Sequence, residues 1–330
     1  MHTDTKTDRI LVTGSAGDLG KVLYTTLKTK YPTTEIIGLD VRPSPTTTLL
    51  ASITDKVAVA EAMEGVTIVF NAAALHRPHM ETHTDSDFVD TNVTGTLNLL
   101  EAATADGSMV RRFVHTSTTS VMVPAAFYAK TGGGSLPMNG SNTEVPPLPV
   151  LDETSPTLPR NIYGVTKLTA EHLCRIYATK HSLPITVLRT SRFFPEEHDL
   201  NVKASDYGPR EKAIEILSGR RGAVADMVDA HIAMAFGASP TPSAPLFRTF
   251  VVSARSPLTN RPELRERVKA DPHAVVLELF PEYPEAFVSR GWEPVRPGEI
   301  DRVYSVEKIV QEGGWAPSVG FREILEGADF

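Results

Sequence analysis

Short apolar runs alternate with helical patterns along most of the chain, and this alternation constrains the fold more than any other feature. Strands are predicted at 9–14, 35–40, 66–74, 111–117, 185–191 and 247–254, and helices near 19–30, 57–63, 92–105, 163–180 and 223–236. Parallel strands need a helical crossover between them and are buried on both faces, so they read as continuous apolar runs. The chain is therefore predicted to form an α/β fold, a doubly wound parallel sheet.

Three stretches interrupt this rhythm. Residues 122–161 are dense in Gly and Pro, which cannot continue a helix or a central strand. A loop of this length is usually functional or disordered, so we expect it to be a lid that the substrate orders. Residues 192–223 and 255–330 are mixed in pattern, and we expect them to form a smaller domain that binds the substrate.

Charge and residue usage limit the partners and the compartment. The net charge is −7 at pH 7, which disfavours nucleic acid or an anionic membrane, because both need a basic face. The single cysteine, Cys174, lies in a helical pattern and fits a packing role in a reducing compartment. The chain shows no apolar run of membrane-spanning length, and its polar start lacks the apolar core of a signal peptide. The expected location is cytoplasmic, and the expected partner is a small-molecule substrate.

The segment TGSAGDLG follows the first predicted strand and opens a helix. Gly14, Gly17 and Gly20 would let the backbone turn tightly and approach a pyrophosphate, which the free N–H groups of the helix N-terminus can bind. Asp40 ends the second strand, where a carboxylate accepts hydrogen bonds from ribose hydroxyls and repels a 2′-phosphate. Arg42 could instead reach such a phosphate. The pattern therefore favours NAD as the cofactor and keeps NADP as the alternative.

A tyrosine and a lysine in the sequence YGVTK have the spacing of a general acid/base pair. Tyr163 and Lys167 are four residues apart and share one face of a predicted helix. A neighbouring cation lowers the pKa of a phenol from about 10 towards neutrality, as proton transfer to or from an alcohol requires. Tyr24 and Lys28 repeat the spacing, but their helix follows the glycine-rich turn, so we interpret them as a structural pair.

A run of hydroxyl side chains, Thr116 to Ser120, ends the strand predicted at 111–117. It would emerge at the carboxyl edge of the sheet, where doubly wound folds bind ligands. A hydroxyl there can donate a hydrogen bond to a substrate oxygen as negative charge develops on it. Taken alone, such a run is more often ordinary turn chemistry.

The motifs stand in a characteristic order. TGxxGxxG and Asp40 are followed by NAAA, NVTGT, the hydroxyl run, YxxxK and Leu-Arg. In this order, over about residues 9–255, they resemble the extended short-chain dehydrogenases/reductases, which include NAD-dependent epimerases and dehydratases. The resemblance implies a Rossmann-type fold with a smaller mixed C-terminal substrate-binding domain. The dinucleotide-binding domain would span 1–191 with 224–254 returning to it, and the substrate-binding domain would comprise 192–223 and 255–330.

The resemblance also implies roles for individual residues. Thr118, Tyr163 and Lys167 would be catalytic, with Thr118 identified by counting back from Val121 and with Ser117 as the near alternative. Residues that would bind the cofactor are Gly14, Ser15, Ala16, Gly17, Asp18, Leu19, Gly20, Asp40, Arg42, Ile53, Asn71, Ala72, Ala73, Asn92, Tyr163 and Lys167. Candidates for contact with the substrate are Ser117, His76 and Arg192.

The chain departs from the family pattern at several positions. Ser52 stands where an Asp usually contacts adenine, with Asp55 as the available substitute, and Met122 stands where Tyr is frequent. Arg192 occupies a region where the family often has Asn. Only about 30 residues separate Pro195 from the pattern ADMVDAH, less than nucleotide-sugar enzymes usually need to grip the nucleotide. The short segment points to a smaller substrate.

Three histidines in one predicted loop raise the question of a metal. His76, His79 and His83 have neither the cysteine nor the carboxylate company of a recognised zinc pattern. No metal is therefore predicted, and His76 is interpreted as a substrate contact.

The leading interpretation is an NAD-dependent oxidoreductase that interconverts a secondary alcohol and a ketone on a small polar substrate. An epimerase or dehydratase that oxidises a sugar or sugar nucleotide transiently would use the same Tyr163 and Lys167 and stays open. A non-catalytic NAD-sensing regulator is the third possibility, although such proteins typically lose this pair. The resemblance further implies a homodimer that packs through the helices near 92–105 and 163–180.

Overall fold

The structure, a computed structural model, describes residues 8–123, 148–194, 208–237 and 245–327. The strands are β1 (Arg9–Thr13), β2 (Glu35–Asp40), β3 (Leu49–Leu50), β4 (Ile68–Asn71), β5 (Arg112–Thr118), β6 (Val150–Leu151), β7 (Ile185–Thr190), β8 (Arg192–Phe194), β9 (Arg221–Ala223), β10 (Phe247–Val252) and β11 (Val303–Tyr304). The helices are α1 (Asp18–Lys30), α2 (Lys56–Ala62), α3 (Asp85–Phe88), α4 (Gly95–Ala103), α5 (Ile162–His181), α6 (Pro209–Leu217), α7 (Val224–Phe236), α8 (Pro262–Ala270), α9 (Pro272–Leu279), α10 (Tyr283–Ser289), α11 (Glu307–Gly313) and α12 (Phe321–Glu326). Within these ranges, no helix combines the length and the apolar character that crossing a membrane requires.

Seven strands form one sheet, and this confirms the predicted doubly wound α/β architecture. The strand order is β10-β7-β5-β4-β1-β2-β3, and β1 runs parallel to both β2 and β4. The chain builds outwards from β1 through β2 and β3 and then returns to build through β4, β5, β7 and β10. The direction therefore reverses between β1 and β4, and doubly wound sheets bind ligands at the carboxyl ends of the strands beside such a point.

The apolar runs of the sequence become the buried centre of this sheet. Leu11 and Val12 of β1 and Val69 and Phe70 of β4 have no exposed surface. Burying each such side chain stabilises the fold by roughly 1.5–3 kcal/mol. The same burial fixes the carboxyl ends of β1 and β4 side by side, with Thr13 and Asn71 as register partners.

Two elements are several residues shorter than the sequence predicts, each for a local reason. The strand predicted at 66–74 ends at Asn71, because the backbone N–H of Ala73 bonds to the Thr13 hydroxyl instead of to a strand. The helix predicted at 92–105 is regular only from Gly95 to Ala103 and follows a π-helical turn at Val89–Thr94. Such turns are rare and frequently lie at functional sites.

The chain divides into two compact units. The first comprises Met1–Val121, Pro159–Arg189 and Val228–Phe250, and the second comprises Met122–Leu158, Thr190–Met227 and Val251–Phe330. Among the described residues, the second unit includes 148–158, which the sequence-based division kept with the dinucleotide-binding part. Their place follows from pairing of β6 with β11, in which Val150 lies opposite Val303. The assignment of cofactor and substrate to separate domains stays a prediction.

Aromatic packing holds the core of the second unit. The rings of Tyr283 and Phe287 meet edge to face with centroids 4.5 Å apart, and Phe321 packs beside both. The Tyr283 hydroxyl accepts a hydrogen bond from the backbone N–H of Val295 at 2.7 Å. Buried tyrosines require such a partner for their polar end.

Candidate active site

The glycine-rich turn after β1 is built so that backbone approaches backbone. Gly14 has φ +69°, and a Cβ placed on it would lie 2.7 Å from the backbone N of Ala73. A Cβ on Gly20 would collide with the carbonyl oxygen of Gly14. Helix α1 begins at Asp18, and no side chain caps it at Gly17. Its first N–H groups are therefore available to an anion such as a pyrophosphate.

The carboxylate of Asp40 lies against this turn. It is 8% exposed, and it accepts hydrogen bonds from the backbone N–H of Ala16 at 2.9 Å and of Arg42 at 2.8 Å. Each carboxylate oxygen keeps acceptor capacity for a further hydroxyl. The Arg42 guanidinium donates to the carbonyl of Ala16 at 2.8 Å. The predicted ribose-binding carboxylate and the competing arginine are thus both attached to the glycine-rich turn.

A hydroxyl-rich segment packs on the same turn, and the sequence interpretation missed it. Thr46 donates to the carbonyl of Ser15 at 2.6 Å, and the Ser15 hydroxyl lies 3.4 Å from that of Thr47. Ser15 has no exposed surface, so its side chain holds the turn from inside. The run SPTTT, four residues after Asp40, was the available signal.

Asn71 is the centre of a buried polar network at the reversal point of the sheet. Its amide oxygen accepts from Thr13 at 2.9 Å, and its amide nitrogen donates to Thr96 and to Nδ1 of His115, each at 3.1 Å. Asn71 has no exposed surface. Its side chain therefore fixes the ends of β1, β4 and β5, and the adjacent Ala72 and Ala73 are the partly exposed residues of the predicted NAAA contact.

His115 is held neutral by this environment. Because an amide N–H₂ can only donate, Nδ1 of His115 accepts and the ring proton lies on Nε2. Burial lowers the pKa of His115 well below its usual value, and the nearby Lys167 and His231 lower it further. Nε2 of His115 has no hydrogen-bond partner among the described residues.

Asn92 connects the loop after β4 to helix α5. Its amide oxygen accepts from the N–H of Leu75 at 2.8 Å, and its amide nitrogen donates to the carbonyl of Leu75 at 2.9 Å and to the Thr166 hydroxyl at 3.0 Å. Asn92 is 1% exposed and lies in the π-helical turn. The turn therefore aims a single amide at both neighbouring segments, and the role of Asn92 at the cofactor stays a prediction.

Tyr163 and Lys167 lie in the first two turns of α5. Asn161 caps this helix by accepting from the N–H of Gly164 at 3.0 Å. Tyr163 is partly exposed, whereas Lys167 is 2% exposed. Burial lowers the pKa of Lys167 to about 8, against upward contributions from Cys174 and Glu171. The spacing of four residues places this ammonium one helical turn from the phenol of Tyr163. The catalytic role of the two residues stays a prediction.

The hydroxyl run separates into two directions, since side chains alternate along a strand. Thr118 is 6% exposed and accepts from the N–H of Ser120 at 3.1 Å. Ser117 is buried and donates to the carboxylate of Glu171 on α5 at 2.6 Å. That carboxylate also binds Arg189, with the closest contact at 2.8 Å. The motif analysis found neither Glu171 nor Arg189 as a partner of Ser117.

The remaining predicted site residues lie in the apolar core, in the second unit and in the loop after β4. Ile53 is 3% exposed and belongs to the apolar core, with its carbonyl accepting from Asn98 at 3.0 Å. Arg192 lies in β8, in the second unit. The ring of His79 contacts those of His76 and His83, with centroids 4.7 and 5.3 Å away. Across the described residues, no group of three or more His, Cys, Asp or Glu is placed to hold a metal.

Parts of two predicted features lie outside the described residues. These are residues 124–147 of the proposed lid and Pro195, where the short segment before α7 begins.

Comparison with known proteins gives a consistent family. Residues 10–207 match the model of the NAD dependent epimerase/dehydratase family. The L-arabinose 1-dehydrogenase (NAD(P)(+)) of Haloferax volcanii is 31% identical over 186 residues, which cover 55% of this chain and 65% of that protein. The uronate dehydrogenase of Pseudomonas syringae pv. tomato is 27% identical over 203 residues, 59% of this chain and 62% of that protein. The chain thus spans just under two thirds of the length of these relatives.

Among solved structures, the fold is close to that of a short-chain dehydrogenase/reductase superfamily protein from Agrobacterium tumefaciens with bound NAD. The TM-score is 0.64 with 23% sequence identity, and the match covers 96% of this chain and 95% of the other. At this level of identity, the likeness concerns the fold.

Proposed function

Because this chain belongs to the NAD dependent epimerase/dehydratase family, we propose that it is an enzyme that interconverts a secondary alcohol and a ketone on a small polar substrate, with NAD as its cofactor. The observation that carries the proposal is the position of Tyr163 beside a buried Lys167 at the start of α5. A non-catalytic regulator does not need a buried ammonium at this position, which costs solvation free energy.

The residues around the glycine-rich turn fit a dinucleotide. The space that a Cβ on Gly14 or Gly20 would fill is closed by backbone, so only glycine lets the turn keep this close approach beside its free N–H groups. Asp40 offers acceptor capacity to a ribose diol, and its negative charge disfavours a 2′-phosphate. When bound, NAD supplies the acceptor or donor of the hydride.

Tyr163 is assigned the proton. In the direction of oxidation, its phenolate oxygen takes the proton of the substrate hydroxyl, and in reduction the phenol returns it. Lys167 stabilises the phenolate through its charge, which it retains below a pKa of about 8. Thr118, at the end of β5, would donate a hydrogen bond to the substrate oxygen. Ser117 is the weaker candidate, since its hydroxyl is already donated to Glu171.

The substrate class comes from the relatives. L-arabinose 1-dehydrogenase and uronate dehydrogenase both carry sugar substrates in their names. Free aldoses and uronic acids are therefore the first substrates to test. Such small substrates also agree with the short segment before α7, which offers few residues to bind a nucleotide.

The experiment is a substrate screen with purified protein and NAD, in which the absorbance of NADH measures the reaction. We expect NADH to form in proportion to the sugar that is consumed. Tyr163→Phe should lower kcat by at least about a hundredfold, in line with general acid/base contributions. Tyr24→Phe is the matched control, because Tyr24 has the same spacing to a lysine but lies on α1.

Two outcomes would overturn the proposal. Formation of an isomer or a dehydrated sugar without net NADH would show that the hydride returns to the substrate, as in an epimerase or dehydratase. Near-native turnover of Tyr163→Phe would refute the assignment of the proton.

A further inference from the structure

A buried ion pair lies directly behind the proposed catalytic pair. The Arg189 Nη2 atom lies 2.8 Å from Oε2 of Glu171, and its Nε atom lies 3.1 and 3.2 Å from the two carboxylate oxygens. Ser117 donates to Oε1 at 2.6 Å. The side chains of Glu171 and Arg189 are 5% and 8% exposed. The carboxylate is thus fixed in position by three donors, the Ser117 hydroxyl and the Nε and Nη2 groups of Arg189.

Glu171 also shares a helix face with the catalytic pair. Tyr163, Lys167 and Glu171 follow one another at intervals of four residues on α5, so their side chains form one stripe. Burial pulls the pKa of Lys167 down to about 8, while Cys174 and Glu171 act in the opposite direction. Burial raises the pKa of the Cys174 thiol far above neutrality, so this sulfur carries no charge there. Glu171 is therefore the anion whose charge raises the pKa of Lys167.

The other groups around Lys167 do not compete for this role. His115 faces it from β5 and is neutral, because burial lowers its pKa well below the usual value. From the turn before α4, Asn92 bonds to Thr166 and carries no charge. Among the acidic groups of the neighbouring helices, Asp85 and Asp90 are exposed, Asp87 binds Thr84, and Glu101 pairs with Lys56.

We propose that Glu171 is a positioning residue of this enzyme, whose fixed negative charge keeps Lys167 protonated and thereby keeps Tyr163 able to ionise. Arg189 and Ser117 hold the carboxylate at the correct place. The group Lys167, Arg189 and Glu171 has a net charge of +1, which a phenolate at Tyr163 neutralises. The inference rests on the proposed function, because it gives the tyrosine and the lysine their roles.

The test removes both partners of the pair, so that neither is left as a buried unpaired charge. Glu171→Gln alone would strand the Arg189 guanidinium and could prevent folding. The double variant Glu171→Gln/Arg189→Met removes both charges and keeps the volume. The first readout needs no NAD: it is the near-ultraviolet absorbance of phenolate as a function of pH. Subtracting the curve of the same protein with Tyr163→Phe isolates the titration of Tyr163. We expect the ionisation of Tyr163 to move up by about one pH unit, as the loss of a nearby charge predicts.

Kinetics give the second readout. The alkaline limb of the kcat profile should move down by about one pH unit in the double variant, because Lys167 loses its proton more easily. Glu171→Asp retains the charge and should restore the profile in part. The matched control is Glu299→Gln/Arg210→Met, which removes another doubly bonded arginine–carboxylate pair, with both contacts at 2.9 Å. This control should lower Tm and leave both pH profiles unchanged.

The outcomes separate the inference from the function. Unchanged titration and kinetic profiles in the Glu171→Gln/Arg189→Met variant, even with reduced Tm or kcat, would overturn the inference and leave Glu171 a structural residue. A shifted Tyr163 titration supports it. If the titration shifts while the wild-type protein oxidises no sugar in the screen, the electrostatic coupling stands and the proposed reaction is refuted.

Discussion

The glycine-rich turn gives the sharpest prediction, because two of its constraints can be separated by substitution. Gly14 has φ +69°, and a Cβ on it would lie 2.7 Å from Ala73 N, 2.8 Å from Ala73 Cα and 2.9 Å from the carbonyl carbon of Ala72. Ordinary contact begins at 3.4 Å. Gly107 has φ +81° and no atom within 4 Å of such a Cβ. It shares the backbone conformation of Gly14 without the crowding.

The expected magnitudes follow from these two terms. A left-handed conformation costs a non-glycine residue about 1–2 kcal/mol, and overpacking against fixed backbone costs about 1–3 kcal/mol. Gly14→Ala should therefore destabilise the fold by about 2–5 kcal/mol, and Gly107→Ala by about 1–2 kcal/mol. With about 2–4 °C per kcal/mol for a protein of this size class, the first change lowers Tm by roughly 4–20 °C and the second by a few degrees.

Thermal unfolding and NAD titration check both parts of the reasoning. Gly14→Ala should also weaken NAD binding at least about tenfold, since a 1.4 kcal/mol loss at the phosphate contact is sufficient, whereas Gly107→Ala should bind NAD as the wild type does. Equal Tm losses in the two variants would refute the close-approach argument. Unchanged NAD affinity in Gly14→Ala would refute the location of the cofactor.

Four further predictions concern the site and the assembly. Asp40→Asn should shift the ratio of NAD to NADP affinity towards NADP by about tenfold or more, measured as Kd for each cofactor, because a repulsive charge near the 2′-phosphate is lost. The wild-type kcat should fall as pH rises through about 8, where Lys167 loses its charge, and a flat profile there would contradict this assignment. Asn92→Ala leaves the N–H and carbonyl of Leu75 without their partner and should lower the free energy of unfolding by at least about 2 kcal/mol in urea. The predicted homodimer would cover Ile176, which is 57% exposed on α5. Ile176→Glu should therefore give monomers by light scattering, whereas Val288→Glu on α10 should not.

Much of the fold was readable from the sequence for a physical reason. Strands of a parallel sheet bury both faces, so β1, β4 and β7 appear as apolar runs that need no knowledge of their neighbours. The glycines of the turn and the acid at Asp40 are likewise local signals, since a tight turn and a strand end constrain residue type directly. The boundaries shifted where a distant side chain intervened, as the Thr13 hydroxyl does at Ala73.

The candidate site was only partly determined in this way. The order of motifs indicated Tyr163 and Lys167, but their spacing is shared by Tyr24 and Lys28 and does not reveal burial. Only the tertiary structure makes Lys167 2% exposed and so lowers its pKa. Desolvation depends on what packs around a side chain, and that is set by segments far apart in the sequence.

The hydroxyl run shows the same division. The sequence placed Ser117 and Thr118 at one strand end and could not separate their roles. The fold turns Ser117 towards Glu171, 54 residues away, and brings Arg189 from another strand to the same carboxylate. Local pattern determines which residues can form a strand or a helix. The partners of a buried charge are decided by which strands and helices become neighbours, because a charge withdrawn from water must find its counter-charge across the fold.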